Sequence, residues 1–386
     1  MTDLVVEEVS TPEALAALKD DWRALAAAHG EGLPFRTWEW NDAWWRWFGE
    51  HRAAVRDALF VRAFRTTRGQ LVGVAPLTLV SRPGVGLALL RGLEFFGADP
   101  YVTELRGALV DPAWEGDVYT ALGEHLDASR AWDWIRWQGL KEHGTAARLV
   151  RDGYHVALDG ETPAYRLKLE GTWDSFRASR PRNLKESLRK CYNSLKKAGH
   201  AFELTVARTP AEVPAALDRF LELHSRRATA DGLLQHGNVF RDHASRGFFL
   251  DVCNRLAARD AMRIFQLRIA GEVVASRVGF ALDGTLYLYF SGYDPDWAPF
   301  SVMTTTVAEA LRYAFENGFA YAHLSTGTDE SKLRWRPERE NYHEGIEYAR
   351  GLRGVSARWL RGAIAAGSDS RFGAQARWAF GRRRGE

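Results

Sequence analysis

Cysteine is nearly missing: only Cys191 and Cys253 occur among 386 residues, too few for a disulfide framework or a cysteine zinc cluster. Lysine is scarce as well, supplying eight of the 52 basic residues, and four of those eight fall between 185 and 197. No run reaches 18 apolar residues, so no membrane-spanning helix is expected. The opening MTDLVVEEVSTPEA has neither a basic start nor a long apolar core. No secretory leader is therefore expected, and the expected location is cytoplasmic. Neither a P-loop nor GxGxxG occurs, which removes the main support for kinase or dinucleotide chemistry. HExxH and GxSxG are missing too, and the 11 histidines show no metal-ligand spacing. A net charge of +3 is too small to mark the whole chain as a nucleic-acid binder.

What is present is an ordinary globular composition, 46% hydrophobic and 26% charged. The length exceeds what one core usually serves, so two domains are expected. Charge is unevenly spread: from Arg350 onward nine Arg face only Asp369 and Glu386. The order of elements repeats. In the second half, 262–269 and 273–281 read as strands joined at Ala270-Gly271. Asp283-Gly284 then gives a hairpin signal before a strand at 285–291. Ser301 to Asn317 is helical, with Ser301 as N-cap and Gly318 at C′, and 319–324 is a further strand. The first half runs alike, with strands at 57–65, 71–80 and 87–95, a helix at 113–129 and a strand at 133–138. Two β-β-β-α-β units, meeting near 160–166, explain the length better than one large sheet.

Four segments carry chemistry. In 177–199, Leu184, Leu188, Cys191 and Leu195 share one helical face, while Arg182, Lys185, Arg189 and Lys196 share another. So few acids relieve that basic face that an anionic partner competes with the reading of a merely solvated surface. The loop 291–304 leads from a strand into a helix start, whose N–H groups suit a pyrophosphate. The stretch 321–336 gathers His323, Asp329, Lys332 and Arg334 near the sheet edge. His323 could act as a base, or be a satisfied structural residue; Lys332 could steady an oxyanion, or be a surface lysine. The run WEWNDAWWRWF at 38–48 holds five of the 15 Trp and reads as a buried helix, with a sugar-stacking platform as the alternative.

The stretch from Phe265 to Arg336 carries Gly271-x-x-x-Ala275, an aromatic strand ending in Ser291-Gly292-Tyr293-Asp294-Pro295, and a block closing in Lys332-x-x-Trp335. With SRPRNLKESLRKCYNSLKKAG, FLELHSRRATADG, PFRTWEWNDAWWRWF and GQLVGVAPLTLV upstream, it resembles the CelD-like, FemAB-related GNAT acyltransferases over most of residues 30–340. Three positions depart from that family's pattern. Its Ser-Pro-Gly helix start is Ser301-Val302-Met303 here, the Asp of its Phe-Asp-Leu is His323, and the Tyr of its Tyr-Lys is Ser331.

The resemblance implies an α+β fold of two tandem GNAT-like domains, each a mixed, mostly antiparallel sheet flanked by helices. The limits are 1–163 and 164–349, the second domain holding the active site, with a basic tail at 350–386. It implies transfer of an acyl group from acyl-CoA, a co-substrate and not a bound cofactor, to an amine or hydroxyl acceptor. The acceptor would be a small molecule or polymer precursor in cell-envelope, exopolysaccharide or small-molecule biosynthesis. Trp297, Ser301, Val302, Met303 and Thr304 would meet the donor phosphates. His323 would be the base and Lys332 the electrostatic stabiliser. Tyr293 and Asp294 would line the acceptor pocket; Arg182, Lys185, Arg189 and Asp329 would also bind substrate. One alternative is an aminoacyl-tRNA donor, with tRNA along 177–197. Another is an inactive scaffold whose tail, with Val355, Trp359, Leu360 and Ile364 near one face, lies on an anionic membrane.

Overall fold

Two of the expected turns explain how the second half folds. Ala270 and Gly271 take φ of 51° and 85°, and Asp283 and Gly284 take 46° and 68°. Paired left-handed residues let a two-residue turn follow the twist of its strands. Met262–Ile269, Glu272–Leu282 and Thr285–Tyr293 therefore pair antiparallel in sequence order, with Phe202–Ala207 on the outer side of the first. Helix Val302–Glu316 then returns the chain so that Tyr321–Thr326 lies parallel to Thr285–Tyr293, and the end of Leu158–Lys168 pairs antiparallel beyond it. The helix covers the sheet with Ala308, Leu311 and Ala314, all fully buried. Gly318 closes it at φ 72°, as expected for a C′ glycine.

These features belong to a computed structural model that describes residues 4–49, 51–52, 55–83, 89–99, 101–229 and 237–366. By contacts the chain divides into a first unit, Met1–Gly30, Phe35–Thr162 and Asn341–Glu386, and a second, Glu31–Pro34 and Pro163–Glu340. The first boundary falls beside the expected 163; the second differs from the expected 349. Residues 342–348 pair with Trp134–Lys141, which ties the distal part of Glu338–Tyr348 to the first unit. Of the expected tail, helix Leu352–Ala366 packs Ala357 against Leu90 and Trp134, while 367–386 and the side chain of Ile364 lie outside the described residues.

The first unit repeats the order of the second. Leu89–Phe95 and Trp134–Lys141 form its parallel pair, connected through helix Glu115–Ala128. The strands expected at 57–65 and 71–80 are each broken, however. Val55–Leu59 pairs with Leu77–Pro83, whereas Val61–Thr66 and Leu71–Ala75 enter a four-stranded sheet with Leu4–Val9 and Leu109–Val110. The second break falls at Pro76, which has no N–H to give a ladder. The first falls at Phe60, whose N–H reaches the Leu77 carbonyl at 3.0 Å across the corner. Trp38–Phe48 is the buried helix: Trp40 and Trp44 are at most 1% exposed, and their indoles donate to Thr103 and Asp99. The second unit is thus a mixed, mostly antiparallel sheet with flanking helices; the first shares its strands between such a sheet and the antiparallel four-stranded one, and both are α+β.

Candidate functional site

The parallel pair in the second unit is short. Its register runs from Thr285↔Tyr321 to Tyr287↔His323 and stops there, although both strands continue, to Tyr293 and Thr326. Where pairing stops, a cavity of about 300 Å³ opens, walled by Ser291 and Tyr293 from one strand and Leu324 from the other. Its end wall is the start of helix Val302–Glu316, through Ser301, Val302, Met303 and Thr304; Lys332, Arg334 and Trp335 close a third side. Arg227 and Arg277 complete the polar lining. Arg277 stands directly across from Ser291 in the antiparallel register, and Arg227, at the end of helix Val213–Thr229, donates to the Ser291 hydroxyl at 2.9 Å.

Charge and backbone geometry agree on what this cavity suits. Three guanidiniums and one ammonium line it, and no carboxylate does. Desolvation lowers the pKa of both Arg227 and Arg334, outweighing the pull of Tyr293 and Asp329 on the first and of Cys191 and Glu330 on the second. Nε of Arg334 is buried with no acceptor among the described residues, while its Nη2 donates to Thr304 Oγ1 at 3.0 Å. The helix start is equally open. Ser301 sits in the left-handed region at φ 53° and makes no side-chain cap, so the Val302 and Met303 N–H groups have no acceptor among the described residues. No acidic residue occupies that first turn. The open helix start, its dipole and three guanidiniums in one lining are a combination that suits an anion. In the first unit the equivalent helix starts with Glu115 and Asp117, which repel an anion at the same place.

Lys332 donates from Nζ to the Thr326 carbonyl and pairs with Asp329 at 2.9 Å. The lysine is mostly buried and the aspartate more than half exposed, so Asp329 holds Lys332 from the solvent side. Cys191 lies behind the helix start: burial pushes its thiol pKa up, against the pull of Ser301 and Arg334.

Of the residues expected at the site, the structure brings Ser301, Val302, Met303, Thr304, Tyr293 and Lys332 together in this one cavity. Others lie elsewhere. Trp297 is packed against Phe300 and His200 and does not line the cavity. Asp294 caps the short 3-10 helix after the strand, accepting from Asp296 N–H, and pairs with Arg226 at 2.7 Å. Arg182, Lys185 and Arg189 are exposed on helix Arg182–Lys197, whose opposite face buries Leu184, Leu188, Cys191 and Leu195.

His323 requires a correction. It is 1% exposed, stacks on Tyr287 at 4.4 Å, and does not line the cavity. Adjacent strand residues face opposite sides of a sheet, and its neighbour Leu324 is the one in the cavity wall. Desolvation lowers its pKa to about 3, with Arg166 and Lys332 adding to the effect. It is neutral, and its Nδ1 lone pair is taken by the Ser325 N–H at 3.1 Å. An imidazole so placed has no lone pair with which to take an acceptor's proton.

Arg227, Arg277 and Ser291 were not singled out in the sequence as site residues. Arg227 did have a signal, the last position of Leu223-His224-x-x-Arg227. An arginine on a strand, such as Arg277, has none. Among the described residues no group of three His, Cys, Asp or Glu side chains is placed to hold a metal.

Residues 182–333 match the family model described as an acetyltransferase (GNAT) domain. No curated protein sequence matches the chain. Among solved structures, FemX superposes with a TM-score of 0.57 at 12% identity, over 88% of this chain and 96% of that one. The C-terminal domain (DUF2156) of a protein assigned as a lysylphosphatidylglycerol synthetase from Agrobacterium fabrum superposes with a TM-score of 0.50 at 10% identity, over 92% and 97%. At such identities the likeness is one of fold. The architecture is GNAT-like in tandem, and the matched segment supplies the whole cavity wall except Arg334 and Trp335.

Proposed function

We propose that the second unit transfers an acyl group from acyl-CoA to an amine or hydroxyl acceptor. The observation that carries this reading is a cavity at an open helix start, lined by Arg227, Arg277, Lys332 and Arg334 and by no acid. The donor's pyrophosphate would take the Val302 and Met303 N–H groups and the Arg334 guanidinium. Its thioester would then enter the gap between the two parallel strands. The acceptor attacks the thioester carbonyl; the carbon–sulfur bond breaks, the acyl group passes to nitrogen or oxygen, and the acceptor's proton goes to the departing thiolate. Lys332, fixed by Thr326 and Asp329, stabilises the oxyanion formed on the way. Tyr293 forms part of the acceptor wall. His323 has no part in proton transfer.

A polyanionic donor, aminoacyl-tRNA, is a second reading. It is favoured by the exposed Arg182, Lys185, Arg189, Lys190, Lys196 and Lys197, relieved on that helix by Glu186 alone. Melting curves with acetyl-CoA, longer acyl-CoAs, free CoA and bulk tRNA at low and high salt separate the two. Stabilisation by a CoA species, lost in Arg334→Met, supports the first. Stabilisation by tRNA alone, steeply weakened by salt, replaces it with the second.

A further inference from the structure

The last described helix, Leu352–Ala366, turns two different faces to its surroundings. One face is docked: Ala357 is fully buried and Leu360 half-buried, against Leu90, Trp134, Ile346 and Tyr348. The other carries Leu352, Val355 and Trp359, which are 86%, 65% and 73% exposed. At 100° per residue these three fall within about 60° of one another, so they form one strip and are not scattered. Three large apolar side chains left in water on a single strip mark a contact surface.

The charges around the strip say what it contacts. Arg358 borders it and is exposed. Arg350, at the helix's foot, is 86% exposed and pairs only loosely with Asp127 at 3.4 Å. Arg353 turns inward, to Asp133 at 2.9 Å. No acidic residue lies between Glu347 and Asp369, and the chain beyond the helix, 367–386, adds five Arg against two acids. A protein partner with an apolar groove would not need this excess. An anionic lipid surface would: aromatic and aliphatic side chains enter the headgroup boundary while arginines meet the phosphates.

We infer that the Leu352–Ala366 helix is a peripheral anchor that lays Leu352, Val355 and Trp359 onto an anionic bilayer. No helix among the described residues is long and apolar enough to cross a membrane, so the contact is with the surface. It is independent of the donor chemistry proposed above.

The test is flotation of the full chain with vesicles of phosphatidylcholine alone or mixed with phosphatidylglycerol. The wild type should float with the mixed vesicles and stay behind with the neutral ones. Leu352→Ser/Val355→Ser/Trp359→Ser should reduce partitioning by at least about tenfold. Arg358→Glu should reduce it by roughly fivefold or more, in a salt-sensitive way. All four side chains are exposed, so melting curves of the variants should match the wild type. Failure of the wild type to float, equal flotation with both vesicle types, or unchanged flotation of the triple variant overturns the inference. A wild-type dimer in light scattering that becomes a monomer in the triple variant also overturns it, by assigning the strip to a second copy.

Discussion

The backbone N–H of Ser325 donates to Nδ1 of His323 across 3.1 Å, in a site where the imidazole is 1% exposed. The bond fixes the neutral tautomer with the proton on Nε2. It also has a consequence for stability. The folded pKa is lowered to about 3 from 6.5, so below about pH 6.5 the unfolded chain binds a proton that the folded chain refuses. Above that pH the group contributes nothing. As pH falls towards 3, folding weakens by up to roughly 1.4 kcal/mol per unit. Glu347 opposes this: desolvation raises its carboxyl to about 7, so the folded state gains protons, and stability, as pH falls from 7 towards 4.5. His323→Phe removes only the first effect. The difference in stability between His323→Phe and wild type, measured by urea unfolding at pH 7, 6, 5 and 4, should move in the variant's favour on acidification. A constant difference would show that His323 is protonated in the fold.

Lys332 is the test of the chemistry. Its ammonium lines the cavity and is held by Thr326 and Asp329. Lys332→Met keeps the length of the stem and deletes the charge. Turnover should fall by about 10² to 10³-fold, the usual loss for an oxyanion donor, while the KM for acyl-CoA changes little. A rise in KM at constant kcat would instead make Lys332 a donor-binding residue.

The arginines should divide from Lys332 by kinetic signature. Arg334 offers a buried Nε–H with no acceptor among the described residues, beside the open helix start. Arg334→Met should weaken donor binding by about 10 to 100-fold, the worth of a charge-assisted hydrogen bond. It should also flatten the dependence of binding on salt. Titration calorimetry at two ionic strengths checks both; unchanged affinity would place the donor's phosphates elsewhere.

The repeated order of elements and the position of the helix start at Ser301 are legible in the sequence because each depends on local pattern. Asp283-Gly284 and Gly318 are turn and cap residues whose φ follows from their type. His323 was misjudged for a non-local reason. Alternation assigns it a face with Tyr321 and Ser325, but the side of the sheet that holds the cavity depends on Leu324, Ser291 and the returning helix. The strand breaks at Phe60 and Pro76 likewise depend on two strands turning a corner together, which neither shows alone. Arg277 was invisible because its role comes from standing opposite Ser291.

Gly292, between Ser291 and Tyr293 of the cavity wall, lets helix Val213–Thr229 lie on the strand. A Cβ there would stand 2.4 Å from the His224 backbone nitrogen and 2.7 Å from the Leu223 carbonyl carbon. Backbone cannot yield as a side-chain tip can, so Gly292→Ala should destabilise the second unit by about 1–3 kcal/mol. It should also shift Arg227, which hangs from the same helix and bonds Ser291. Lower stability and weaker donor binding should therefore appear together in urea unfolding and calorimetry. Loss of stability with intact binding would show that the helix moves without carrying Arg227 away from the cavity.

The two helix starts lead to a stoichiometry. In the second unit the first turn after Ser301 has no acid and opens into a cavity with four cations. In the first unit the corresponding turn carries Glu115 and Asp117, and Glu115 is already committed to the Thr145 N–H at 3.0 Å. That unit does have a cavity, of about 340 Å³, but its Arg106 and Arg136 are balanced by Glu104 and Glu344. Arg136 and Gln138 both donate to Glu344, which draws that carboxyl below its ordinary range despite burial. An anion arriving there would have to displace a carboxylate that is already paired. Calorimetric titration with free CoA should therefore give one site per chain, and Arg334→Met should weaken that site without exposing a second. Two equivalent sites per chain would mean that the acidic first turn does not exclude the donor, and the division of labour between the repeats would fall with it.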